Sequence, residues 1–270
     1  MAAAARAAHL IVDQAPPIFA DTLAESLLDD HADELIGYHR DNSTHPLLAN
    51  VRTLVTSRSR YTENRLAQSG LTQYVILGAG LDTFAYRSEL AKELRVFEVD
   101  HPATQRWKRR QLAAARIPET ATFVPVDFET DSLADHLVEA GFDPSRPALV
   151  SWLGVLMYLT RPAIATTIAA IGGFAPGTEI VADYMLPAHL RDEAGSTYVQ
   201  LVAPATAERG EPWRTVLSPD EASALFTEHG FTVRHVHQRE SIDLDLWERT
   251  DSLRPITLAV LAHATVTPRR

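Results

Sequence analysis

The chain has 270 residues, 46% of them hydrophobic, enough for one α/β domain with a full core. It has no cysteine, which excludes disulfides, thiolate nucleophiles and cysteine-based zinc sites, and its net charge of −10 excludes a chain-wide basic footprint for nucleic acid. No run of about 18 uncharged apolar residues exists, so no membrane-spanning helix is expected and a cytoplasmic protein is the simplest reading.

The first residues, MAAAARAAHLIVDQAPP, are alanine-rich, and His9 and Asp13 break their apolar part, making a poor secretion signal. Residues 20–69 are expected to be helical. FADTLAESLLDDHADELI sets Phe19, Leu23, Leu27, Leu28, Leu35 and Ile36 near one face. NVRTLVTSRSRYTENRLAQSG closes on Gly70, a residue suited to a helix C-cap. From residue 73 short apolar runs (QYVILG, RVFEVD, ATFVPVD, PALVSWLG, EIVADY) alternate with amphipathic stretches at Thr83–Lys92, Pro102–Ala115, Leu133–Ala140 and Arg161–Gly172. That rhythm predicts a parallel sheet covered by helices.

The rhythm breaks at residues 185–217, which read as a helical lid or substrate insertion. A helix follows with Ser218 as N-cap and Pro219 at its first position. FTVRHVHQ and PITLAVLAHATV then close the chain as two strands. The element count is that of a class I methyltransferase: a Rossmann-like α/β domain, seven strands, mostly parallel, with helices on both faces. Residues 1–70 form an N-terminal helical cap, 71–184 the core, 185–217 the lid and 218–270 the C-terminal helix and strand pair of a single domain.

VILGAGLDTFAYR ends a buried strand on Gly78-Ala79-Gly80. Glycines there let the backbone approach a ligand, and a helix starting near Thr83 would aim its N-terminus at the same place. A dinucleotide turn has a third glycine where this chain has Thr83, and Asp82 would repel a pyrophosphate. An acid beside a cationic amino-acid group is favourable, so the turn suits S-adenosylmethionine better than NAD. RVFEVD ends on Asp100, 22 residues after Gly78, placed to accept ribose hydroxyls or to cap the following helix. Asp127 ends the next strand beside Phe128, either to accept the adenine amino group or to cap the helix around Leu133.

LGAGLDTFAYR, FEVDHP with basic residues following, and GVLMYL resemble the leucine carboxyl methyltransferase family, which includes polyketide carboxyl methyltransferases of the tetracenomycin type. The likeness covers residues 58–183. It implies S-adenosylmethionine as cofactor and methyl transfer to an oxygen, often a carboxylate. By position it implies Gly78 and Gly80, with Ala79 between them, at the methionine part, Asp100 at the ribose, and Asp127 and Phe128 at adenine. The family's arginine for the cofactor carboxylate matches Arg58, with Arg60 the competing choice. One departure is Leu153, in the cofactor wall, where the family often carries glutamate. Asp82 and the carbonyls of Ser151–Gly154 are left to substitute for it.

No catalytic dyad is evident. That fits transfer to an already ionised carboxylate, and also a phenol activated by a histidine. Tyr158 and Tyr184 follow strands four and five at the ligand-binding edge and are the candidate pocket residues. Arg191, Arg209 and Arg214 in the lid could clamp an acidic acceptor. His235 and His237 lack a third ligand and read as a strand face rather than a metal site. Arg106–Arg110 reads as a solvated basic helix face, with Trp107 packing inward. A small-molecule acceptor in secondary metabolism is the expected partner, with no nucleic acid or membrane and oligomerisation open. The alternatives are an NAD-dependent oxidoreductase, a protein methyltransferase, or a methyltransferase-like protein without turnover.

Overall fold

Tyr74–Leu77 and Leu149–Trp152 are buried throughout, as runs in the middle of a parallel sheet must be. In the computed structural model, which describes residues 1–268, seven strands form one sheet. They are β1 Gln73–Leu77, β2 Arg95–Asp100, β3 Thr122–Pro125, β4 Leu149–Trp152, β5 Glu179–Met185, β6 Phe231–His237 and β7 Ala259–Val266. Their order is β3-β2-β1-β4-β5-β7-β6. The first five are parallel, and β7 runs antiparallel to both β5 and β6. The direction of winding reverses between β1 and β4, which opens a crevice at the carboxyl ends of those strands.

The helices are α1 Ala2–Val12, α2 Ala32–Asp41, α3 Pro46–Ser69, α4 Phe84–Arg87, α5 Pro102–Ala114, α6 Leu133–Glu139, α7 Arg161–Gly172, α8 Glu193–Glu208 and α9 Pro219–Glu228. One sheet face packs α6, α7 and α9 through Leu137, Ile164, Ile168 and Phe226. The other packs α3 and α4 through Leu66, Phe84 and Ala85. Gly70 ends α3 in the left-handed conformation, at φ 68°. Ser218 and Glu221 form a full capping box on α9. No helix among the described residues is long and apolar enough to cross a membrane.

Two helical expectations fail locally. The stripe from Phe19 to Ile36 is cut by 3-10 turns at Glu25–Leu27 and Asp29–His31, and Asp29 sits at φ 53°. The stretch after Thr83 is one α-turn and then a 3-10 turn, so no long helix points its dipole at the glycines. The alanine-rich start is α1. It buries Ala3, Ala4 and Ala7 against Leu28 and Ile36, its small side chains allowing close approach.

Candidate functional site

The turn after β1 holds its glycines in the left-handed region, Gly78 at φ 66° and Gly80 at φ 48°. A Cβ on Gly78 would lie 2.3 Å from Val155 Cγ2, so the site demands glycine twice over. The Gly78 and Ala79 amides donate to Val99 O at 2.8 and 3.1 Å. Gly80 N donates to Asp100 Oδ2 at 2.6 Å, and His101 N to Asp100 Oδ1 at 2.7 Å. Burial pushes the Asp100 carboxyl up despite these two bonds. Asp100 therefore ties β2 to the turn, while His101 caps α5 by accepting from Ala103 N. Asp82 Oδ1 accepts from Phe84 N at 2.8 Å, which starts α4.

Across the crevice, Arg58 of α3 donates from Nη1 to Asp183 Oδ2 at 2.5 Å. Asp183 Oδ1 accepts from Gly154 N, also at 2.5 Å. Gly154 has φ 75°, and a Cβ there would meet Arg58 Nη2 at 2.5 Å. Arg60 faces elsewhere, donating to Ile18 O and Asp243. Asp183 was not singled out from sequence. The available signal is an acid inside EIVADYM, a strand buried at every position.

A cleft of about 230 Å³ lies between the glycine turn and Arg58, with Asp100 and Asp183 behind its lining. Arg58, Gly78, Ala79, Gly80, Asp82 and Leu153 line it. So do Met1–Ala3 and Arg6 of the N-terminal segment. Trp107 lines it too and is 40% exposed, so it packs toward the cleft rather than inward. Lys108 instead is buried, so the basic run on α5 is not wholly solvated.

Asp127 and Phe128 lie outside the cleft lining, beyond the end of β3. Asp127 Oδ1 accepts from Glu129 N at 3.0 Å, and Ser132, not Asp127, caps α6. Phe128 packs 6.0 Å from Trp152, whose indole nitrogen is buried without a partner. Tyr158 sits with Met157, Met185, Tyr198 and Trp213. Burial raises its hydroxyl pKa, and the charges of Glu211, Arg58 and Asp183 reach it.

Tyr184 does not join this group. Strand alternation turns it to the opposite face from Asp183, where its hydroxyl lies 2.9 Å from His235 Nδ1. His235 Nε2 lies 2.7 Å from Ser223 Oγ on α9. That contact accounts for one histidine of RHVHQ, and no metal-holding cluster exists among the described residues. In the lid, Arg191 donates to Leu186 O at 2.6 Å, while Arg209 and Arg214 are exposed.

The family model for leucine carboxyl methyltransferase matches residues 1–172. A Bacillus subtilis relative, named "Putative S-adenosyl-L-methionine-dependent methyltransferase YktD", is 36% identical over 216 residues, covering 77% of this chain and 71% of its own. A relative of the same description from Mycolicibacterium smegmatis is 31% identical over 63% of this chain and 57% of its own. Among solved structures, a protein described as a "putative methyltransferase" from Thermobifida fusca covers 90% of this chain and 93% of its own, with a TM-score of 0.61 and 20% identity. Human N-acetylserotonin methyltransferase in complex with S-adenosylmethionine covers 91% of this chain and 66% of its own, with a TM-score of 0.52 and 14% identity. These two likenesses carry the fold.

Proposed function

The chain belongs to the leucine carboxyl methyltransferase family and is an S-adenosylmethionine-dependent methyltransferase, and from that premise we propose that its acceptor is an oxygen, a carboxylate or acidic hydroxyl, on a small molecule. The residues fit the cofactor. At Gly80 a Cβ would meet only Gly78 O, at 4.0 Å, so the turn is open to a ligand there, while Gly78 and Gly154 make room for Val155 and Arg58. Arg58 is the cation for the cofactor carboxylate, and Asp82 the negative group for its ammonium. Asp100 spends one lone pair of each oxygen on an amide and keeps others for ribose hydroxyls. Asp127 and Phe128, which lie beyond the cleft lining, remain the candidates for adenine.

When bound, the cofactor supplies a methyl group on a cationic sulfur. The chain's own task is alignment and exclusion of water. Asp183 holds Arg58 and the Gly154 amide in one arrangement, and in doing so supplies a carboxylate one strand away from Leu153. The N-terminal segment walls the cleft on one side. Tyr158, Tyr198 and Trp213, contributed partly by the lid, form an aromatic wall beside Arg58, where the acceptor would sit.

The observation that carries the reading is the make-up of the cleft: among the described residues no histidine, lysine or glutamate side chain lines it, and its one side-chain carboxylate, Asp82, accepts from the Phe84 amide and is assigned to the cofactor ammonium. Tyr158, whose hydroxyl burial makes harder to ionise, is a poor substitute. A carboxylate acceptor is ionised at neutral pH and needs no base. Its methyl-transfer rate should therefore be flat from about pH 6 to 8, and the product should release methanol in alkali as an ester does. A rate rising through about pH 6.5, and abolished by replacing one histidine, would overturn the carboxylate assignment. An alkali-stable methyl product would exclude an ester and favour the hydroxyl branch. Binding of S-adenosylhomocysteine without turnover on any acid or phenol would favour a protein that has lost catalysis.

A further inference from the structure

Lys108 interrupts an exposed basic run on α5. Arg106, Arg109 and Arg110 face solvent, whereas Lys108 is 1% exposed. Burying an ammonium is costly unless it is paired. Its partners sit directly beneath the glycine turn. Nζ lies 2.6 Å from Glu98 Oε2, and Glu98 is itself fully buried on β2. Nζ also donates to the main-chain carbonyl of Asp82 at 2.6 Å. The same nitrogen stands 5.2 Å from the Tyr86 ring centroid on α4. Both Glu98 oxygens and the Tyr86 hydroxyl are buried without a hydrogen-bond partner, so Lys108 meets Glu98 as an ion pair while its hydrogen bond goes to the Asp82 carbonyl.

This arrangement is costly for stability alone. A buried ion pair replaced by well-packed apolar groups is often neutral or stabilising. Glu98 shows the cost directly: burial pushes its carboxyl up to about 7, against the attraction of Lys108. What the pair does locally is hold a backbone carbonyl. On the other side of the turn Arg6 does the same for the preceding residue, donating to Leu81 O at 2.8 Å. Two buried cations from different helices thus grip consecutive carbonyls of the segment that carries Gly78, Gly80 and Asp82.

We propose that Lys108 is a positioning residue for cofactor binding, with Glu98 as its buried partner beneath the turn. By gripping the Asp82 carbonyl it holds the Gly78–Asp82 backbone in its binding shape before the cofactor arrives. Preorganisation of this kind is read in affinity, because an ordered turn has less freedom to lose on binding.

The experiment compares wild type, Lys108→Met and the double variant Lys108→Met/Glu98→Leu. S-adenosylhomocysteine affinity is measured by calorimetry, melting temperature by scanning, and amide exchange of residues 78–84 in ligand-free protein by mass spectrometry. The single variant should melt lower, since it leaves a buried carboxylate unpaired. The double variant should regain most of that melting temperature. Its affinity should stay about ten-fold below wild type, the worth of one charge-assisted hydrogen bond, and its turn amides should exchange faster. Affinity and exchange returning to wild-type values with the melting temperature would make the pair merely structural and overturn the proposal. If the single variant fails to fold, the double variant decides alone, by the same two readouts. Failure of wild type to bind S-adenosylhomocysteine would count against the cofactor site itself, while the exchange measurement would still report whether Lys108 orders the turn.

Discussion

Asp100 accepts two backbone amides at once, from Gly80 and His101, and burial raises its pKa. Its side chain therefore shapes the turn, and under the proposed function its remaining lone pairs would take the ribose hydroxyls. Asparagine keeps one oxygen for the Gly80 amide and loses the charge. Asp100→Asn should weaken S-adenosylhomocysteine binding by roughly ten-fold or more, since bonds to charged acceptors carry about 1.5–3 kcal/mol. Its melting temperature should stay within a few degrees of wild type. Unchanged affinity would reduce Asp100 to a strut of the turn. At this scale, what is local was legible: Gly78, Gly80 and Asp100 stand just past strands, and the structure joins them in one turn through the Gly80 amide and the Asp100 carboxylate. Asp183 and Lys108 did not, because their partners lie 125 and 26 residues away in sequence. The side that Tyr184 faces was hidden for a related reason. A strand-end aromatic faces one of two sides, and only the register against β7 and the helix beyond decides which.

Among elements, the strands and the helices α5, α6, α7 and α9 were readable because periodicity and caps are local signals. What failed was helix continuity. Leucine spacing over residues 19–36 looks helical, yet the chain turns at Asp29 so that Leu28 and Ile36 pack against α1. A tertiary contact overrode the local pattern. The two loops that meet over the crevice, after β1 and after β4, carry a testable coupling. A methyl group on Gly154 would strike Arg58 Nη2 and must also take a φ of 75°. Gly154→Ala should then lower S-adenosylhomocysteine affinity about as far as Arg58→Ala does. The double variant should be little worse than either, because both remove the same guanidinium placement. Additive losses in that cycle would show that Gly154 acts on the ligand by another route.

The whole molecule is held by carboxylates that fasten the N-terminal cap and α3 to the sheet. Asp21, buried, joins Arg6 of α1 to Thr83 at the glycine turn. At the far end of α3, Arg65 makes a two-pronged pair with Glu179 at the start of β5. His263 Nε2 of β7 lies 2.8 Å from the same carboxylate, and its Nδ1 lies 2.7 Å from the Tyr61 hydroxyl. Burial alone would raise the Glu179 pKa, but Arg65 and His263 outweigh it and hold it at about 2, against 4.5 ordinarily. A carboxyl depressed on folding adds stability that is complete above its unfolded pKa and is lost as pH falls through the folded one. Asp21 acts in the same direction, with Arg6 and the Thr83 hydroxyl overcoming its burial. The protein should thus lose stability steadily from about pH 5 down toward pH 2. Glu179→Gln should cost about 2 kcal/mol in urea unfolding at pH 7. That is less than the full shift implies, because the Arg65 side chain is 33% exposed and screened. At pH 2 the variant and wild type should converge. A gap that stays constant from pH 7 to pH 2 would assign the loss to packing rather than to the charge, and α3 would then be held to the sheet by its apolar contacts alone.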